Sequence, residues 1–432
     1  METQQSAKEP VMTTRPLCTF RLPLAAFALA MLGLLTVLAT PAQAQTFGVL
    51  YDFTGGADGA SPNGVTIGGP GLLYGTTFEG GTHNWGTVFK LAHRGSGWTA
   101  SPLYEFTDGN DGGQPLAGVT LGPNGALYGT TFQGGIENQG TVFEVQPPPR
   151  ACNTAICYWN ETVIHLFSGE GDDGFYPFYG ILSFDQAGNL YGTTLDGGAY
   201  DYGEVFELSP SSGGWSFSAP VSFQYSNNGA WSPYYGVIID PAGNLYGTTW
   251  YGGTAEAGTV YEASPSGGTW TENTLYSFPS INGESAQPTA LIMDQSGNLY
   301  GTAWSTGGAS RGSVFELTPS NGGWTYSTLY GFPEACAPEP VAMDSAGHIY
   351  GNCILGGAYG FGYIFELTNS SGSWTITDLH DFTGQTDGGG PSGPVVVDSS
   401  GNVYGGTAIG GNLSDCQGYD TDGCGVIWEI TP

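Results

Sequence analysis

The sequence predicts an all-β fold, a seven-bladed β-propeller of four-stranded blades whose ring is closed by the N-terminal strand completing the last blade. Three observations carry that expectation. A phrase built on an apolar residue, Tyr and Gly recurs seven times, with its tyrosines at Tyr74, Tyr128, Tyr191, Tyr246, Tyr300, Tyr350 and Tyr404 and spacings of 50 to 63 residues. A period of that size marks an array of supersecondary units. Each unit holds four short strand-like runs separated by turn residues, and the two ends of the chain are complementary half-units.

Residues 1–44 read as an export signal outside the fold. Lys8, Arg15 and Arg21 give a positive segment, Leu22 to Leu38 an apolar run, and Ala42-Gln43-Ala44 a small-residue cleavage site. An uncleaved anchor is the alternative, although the run is marginal for a bilayer span. Cys18 precedes the apolar run, which argues against a lipoprotein attachment site. No second long apolar run follows, so the chain after cleavage has no transmembrane segment. Residues 45–432 form a single propeller domain, expected as a monomer that is secreted or periplasmic.

The fifth unit shows the plan of a blade. Its runs are Thr289–Asp294, Asn298–Ala303, Gly312–Leu317 and Trp324–Phe332. "DQSGN" between the first two is a tight hairpin, where Gly297 or Asn298 takes positive φ at little cost. "TPSNGGW" separates the last two. The chain after the signal begins with a fourth-type run, Phe47–Phe53, and ends with a third-type run, Gly425–Pro432. A ring joins them into one blade and removes exposed strand edges. In the second run, alternation sends Leu245 and Gly247 toward one neighbouring blade and Tyr246 and Thr248 toward the other. Glycine there makes room for a neighbour's ring or backbone. The Trp opening the fourth run (Trp98, Trp159, Trp215, Trp270, Trp324, Trp374) follows the repeat and reads as packing.

Composition agrees. Among 432 residues there are 74 glycines and 27 prolines, only 10% of residues are charged, and 13% are aromatic. That many rings can bury enough surface to offset chain entropy, which excludes disorder. After the signal, Lys90, Arg94, Arg150 and Arg311 face 36 acidic residues, a net charge near −32. Such a surface repels phosphate backbones and anionic membranes, so nucleic acid is excluded as a partner. Solubility outside the cell explains the charge, and divalent-cation binding is the sharper reading. Six cysteines remain after the signal. Proximity pairs them in three disulfides, Cys152 with Cys157, Cys336 with Cys353, and Cys416 with Cys424. No close CxxC with an adjacent His suggests a metal site.

The combination of "LYGTT", "GG", "GTVFEL" and a "DG…P" loop resembles the GloVer tandem-repeat family, a choice-of-anchor type of extracellular propeller, over Phe47 to Pro432. The resemblance implies an extracellular propeller and no particular activity or substrate. Members often end in a C-terminal surface-anchoring signal. Here only Thr431 and Pro432 follow Ile430, so free secretion or a periplasmic location is expected.

In such a ring the fourth-to-first and second-to-third loops emerge on one face. That face collects Asp58, Asp108, Asp111, Asp172, Asp173 and Asp387 with Trp85, Tyr200, Tyr202, Trp231, Tyr251 and Trp304. Rings stack on apolar sugar faces and carboxylates accept hydrogen bonds from hydroxyls, which is the chemistry of glycan recognition. Asp-Gly pairs are equally ordinary turn formers. The expected function is a secreted binding or interaction propeller whose partner is a glycan or another extracellular protein. The alternatives are a carbohydrate-active enzyme (glycoside hydrolase or polysaccharide lyase) and a structural envelope component. For hydrolysis, Asp173 is the candidate carboxylate, because its unit is the most acidic. His83, His93, His165, His348 and His380 are scattered, and no nucleophile elbow is present. No cofactor is expected, with calcium left open by "DGNDGG".

Overall fold

Seven four-stranded antiparallel sheets follow one another around a ring in the computed structural model, which describes residues 45–149, 158–225, 229–280, 283–305, 311–414, 416 and 422–432. The export segment lies outside the described residues. In the first blade the strands run Ala60–Gly69, Leu72–Glu79, Thr87–Arg94 and Gly97–Glu105 in chain order, innermost first. The last blade takes Gly389–Val397, Val403–Ile409 and Val426–Thr431 from the C-terminal end. It takes its outer strand, Thr46–Asp52, from the N-terminal end. That closing pair is antiparallel and in register from Thr46↔Thr431 to Asp52↔Val426, with one bulge between Val49 and Tyr51. Ring closure is therefore as the sequence predicts.

The recurring phrase turns out to serve three separate packing tasks. Its Gly stands beneath an aromatic ring of the third strand. A Cβ would lie 2.5 Å from Phe89 at Gly75, 2.4 Å from Tyr261 at Gly247 and 2.3 Å from Trp428 at Gly405. The Thr after it faces the next blade. Thr76 donates to the Ala117 carbonyl (2.8 Å), Thr193 to Tyr235 (3.0 Å), Thr248 to Thr289 (2.9 Å) and Thr302 to Glu339 (3.1 Å). Each such bond ties one blade's second strand to the next blade's inner segment and contributes about 1 kcal/mol. The second Thr stays at home: Thr249 meets Thr259 of its own third strand at 2.7 Å.

The tyrosine of the phrase joins turn, strand and neighbour. Tyr246 lies 3.3 Å from Asp240 of the hairpin and 3.0 Å from Glu262 of the third strand, and Tyr300 repeats this with Asp294 and Glu316. Its ring meets the Trp that opens the next blade's fourth strand edge-on, as in Tyr128–Trp215 at 5.9 Å and Tyr246–Trp324 at 6.1 Å. The tryptophan series is thus inter-blade packing.

All four runs of the fifth blade shift at their ends, and two of them change most. The first run of the fifth blade narrows to Ile292–Met293, with the Thr289 N–H still donating to the Thr302 carbonyl at 2.8 Å and the Thr289 carbonyl taken by Thr248. The third strand lengthens to Ser313–Ser320, so its hairpin with Gly323–Gly331 extends beyond the second strand.

Two of the three expected disulfides are present, and Cys336, Cys353 and Cys424 are buried in the core. Cys336 bonds Cys353, with Cα atoms 5.1 Å apart, and Cys416 bonds Cys424, at 5.6 Å. The third expected pair, Cys152 and Cys157, lies outside the described residues. Among the described residues no helix is long and apolar enough to cross a membrane. The two disulfides are consistent with an extracellular or periplasmic location.

Candidate functional site

The fourth-to-first and second-to-third loops share one face, as their mutual hydrogen bonding shows. Gly174–Phe175 pairs with Asp196–Gly197, and Ala230–Trp231 pairs with Tyr251–Gly252. The loop carboxylates and rings named from sequence therefore lie on one side of the ring, but they do not converge on one point.

Four of the aspartates occupy equivalent places and do equivalent work. Asp58 accepts hydrogen bonds from the Tyr51 hydroxyl (3.0 Å), the Thr54 backbone N–H (2.9 Å) and the Thr54 hydroxyl (2.6 Å). Asp111 has the same partners in Tyr104 and Thr107, plus the Gly109 N–H at 3.1 Å. Asp173 is held by Ser168 N–H and hydroxyl, both at 2.8 Å, and lies 2.9 Å from His165 Nε2. Asp387 is held by Thr383, with His380 Nε2 at 3.1 Å. Each carboxylate thus locks the loop that leaves the outer strand. Asp172 is exposed beside this arrangement. Asp108 takes a positive φ of 60°, its Oδ1 is buried without a partner among the described residues, and burial followed by the Asp111 charge pushes its carboxyl up. Among the described residues no group of three or more His, Cys, Asp or Glu is placed to hold a metal ion.

Three of the six aromatic residues do come together. Trp231 stacks on Tyr251 with ring centroids 4.6 Å apart, and Tyr202 meets Trp231 edge-on at 5.7 Å. Tyr225, which the sequence reading did not single out, completes the group, 5.7 Å from Tyr202 and 6.0 Å from Trp231. Tyr225 is 53% exposed and Tyr251 36%. The Trp231 indole N–H donates to Glu256 at 3.0 Å, which fixes the ring and brings a carboxylate to its edge. Tyr200 is exposed nearby in sequence, whereas Trp85 packs against Gly113 in another blade.

Trp304 belongs to a different group, an arc of rings spanning several blades. Trp304 lies 5.4 Å from Trp250, Trp250 stacks on Tyr234 at 3.4 Å, Tyr234 meets Phe178 at 4.5 Å, and Phe178 meets Phe132 at 5.1 Å. The indole nitrogens of Trp250 and Trp304 are buried without a partner among the described residues. Next to the arc opens a central channel of about 670 Å³, lined by the inner segments of all seven blades. Its wall is mostly Val, Ile, Leu, Ala and Met, and Glu339, Tyr179 and Tyr235 line it as well.

Two glutamates were not found from sequence. Glu339 is only 4% exposed, and burial pushes its carboxyl up to about 8. Glu204 is fully buried at the start of a third strand, where other blades carry Thr87, Thr141 and Thr259. Its Oε1 accepts from the Gly174 N–H at 2.8 Å while Oε2 is buried without a partner, and burial pushes the carboxyl up to about 8, with Asp173 and Asp172 adding to it. The signal for Glu204 was its departure from the repeat, "GEVFEL" in place of "GTVFEL".

Solved structures with this architecture include a fungal alcohol oxidase of the AA5 family in complex with copper. It is 12% identical, matched over 89% of this chain and 76% of its own, with a TM-score of 0.53. A polysaccharide lyase of family PL25, an ulvan lyase, is 11% identical over 84% of this chain and 90% of its own, with a TM-score of 0.48. A protein described as a putative 6-phosphogluconolactonase from Bacteroides uniformis is 13% identical over 73% and 83%, with the same TM-score. At these identities only the propeller fold is shared. No curated protein sequence matches the chain. The model of the Gloeobacter/Verrucomicrobia repeat matches residues 33–163, 153–335 and 287–432, and through those repeats, which run the length of the ring, the chain belongs to the Gloeobacter/Verrucomicrobia repeat family.

Proposed function

We propose that this protein is an exported binding propeller that recognises a glycan on its loop face, through the rings of Tyr202, Tyr225, Trp231 and Tyr251. The observation that carries this reading is the platform itself: two exposed rings, a stacked Trp–Tyr pair, and Glu256 held at the indole edge. Flat aromatic surface of this kind suits the apolar face of a pyranose, and a fixed carboxylate beside it accepts hydrogen bonds from ring hydroxyls. The loop aspartates support binding over hydrolysis. Asp58, Asp111, Asp173 and Asp387 each already hold a turn, whereas hydrolysis needs two free carboxyl groups flanking one bond.

The test is affinity electrophoresis and array binding of the mature protein against neutral, uronic-acid and amino-sugar polysaccharides. Retardation by at least one class, abolished by Trp231→Ala in a variant that still unfolds cooperatively, supports the reading. Silence across all classes, or release of reducing or unsaturated ends abolished by Asp173→Ala, refutes it.

A further inference from the structure

We propose that the central channel binds an organic ammonium ion, a protonated alkylamine whose head lies between Glu339 and the rings of Tyr179 and Tyr235 and whose aliphatic body lies along the aliphatic wall. This site is separate from the aromatic platform and does not depend on the glycan reading. The channel, at about 670 Å³, is of the size that holds one small ligand. Its wall is largely aliphatic, with Ile67, Ile238, Ile292, Met293 and Met343 among the lining residues. Against that wall Glu339 is the only side chain, among the described lining residues, that carries a formal charge when ionised.

Of the polar groups beside Glu339 one is unsatisfied. Glu339 receives the Gly393 backbone N–H and is bonded to no other side chain among the described residues. The Tyr235 hydroxyl is buried without a partner among the described residues. Facing Glu339 from the other inner segments are Tyr179, Tyr234 and Tyr235. Burial, followed by the Glu339 charge, pushes the Tyr179 hydroxyl up to about 12, so all three remain neutral donors in the physiological range. A lone carboxylate walled by tyrosine rings satisfies an ammonium head twice, by ion pairing and by attraction to the ring faces. An anionic head would meet repulsion there, and a sugar would leave most of its hydroxyls unpaired against aliphatic walls. The strongly negative surface also raises the local concentration of cations at the opening.

Burial holds Glu339 up to about 8, so at pH 7 the empty channel keeps it protonated. Binding an ammonium ion requires it to ionise, and uptake at pH 7 should therefore release protons to the buffer. Isothermal titration calorimetry of the mature protein with octylammonium, octanol and octanoate, each in two buffers of different ionisation enthalpy, tests this. The expected result is one octylammonium per chain with a proton released, weakened roughly tenfold or more by Glu339→Gln. Octanol should bind more weakly and be indifferent to that change. Octanol or octanoate binding as tightly as octylammonium, an unchanged affinity in Glu339→Gln, or no binding of octylammonium overturns the proposal. Should Glu339→Gln fail to fold, Ile292→Trp narrows the channel from its wall. Loss of octylammonium binding in that variant supports the site, and unchanged affinity overturns it.

Discussion

Replacing Glu204 by glutamine should stabilise the protein at neutral pH and leave it unchanged near pH 4. Glu204 is fully buried, with one oxygen bonded to the Gly174 N–H and the other without a partner among the described residues, and its carboxyl is pushed up to about 8. In the unfolded chain the same group titrates at its ordinary value of 4.5. Below that value both states are protonated and the residue is neutral in the balance. As pH rises, the unfolded chain ionises freely while the folded chain holds its proton, so stability falls through the window from 4.5 to about 8 and then levels off. At 1.36 kcal/mol per unit, two and a half units at pH 7 correspond to about 3 kcal/mol. Glutamine keeps the shape and the acceptor for Gly174 but has nothing to ionise. Urea denaturation at pH 4 and pH 7 reads the difference. A midpoint raised at pH 7 and unmoved at pH 4 is expected. An equal shift at both pH values, or no gain at pH 7, refutes burial as the cause.

Two further outcomes follow from the packing. Deleting residues 46–52 strips the outer strand from the last blade, and size-exclusion chromatography should show aggregate or a strand-exchanged species larger than the parent protein, because the exposed edge seeks another strand. Changing Thr248 to Val removes the bond to the Thr289 carbonyl inside a closed interface and should cost about 1–2 kcal/mol in chemical denaturation, with binding on the platform unaffected.

The fold was legible because the repeat records obligations that every blade shares. Gly247 must lie under Tyr261, Thr248 must meet the next blade, and Tyr246 must meet Trp324, so each unit carries the same letters. The site was harder to read for the opposite reason. Acidic loops drew attention by their number, yet Asp58, Asp111, Asp173 and Asp387 recur because turns need them. Glu339 occurs once, and equivalent inner segments carry Asn63 and Thr289, so nothing in the pattern marks it. Trp250 adjoins Tyr251, and strand alternation sends their rings to different groups, Trp250 to Tyr234 and Tyr251 to Trp231. Only the three-dimensional arrangement separates them.

The central claim is that the parts of the repeat that agree build the scaffold and the parts that diverge bind. Parallel measurement of glycan retention and melting temperature in Trp231→Ala and Asp173→Ala tests it most directly. The account predicts that Trp231→Ala loses retention while still unfolding cooperatively, and that Asp173→Ala melts lower yet is retained like the parent protein. Lost retention in Asp173→Ala at full stability, with Trp231→Ala retained normally, would contradict it.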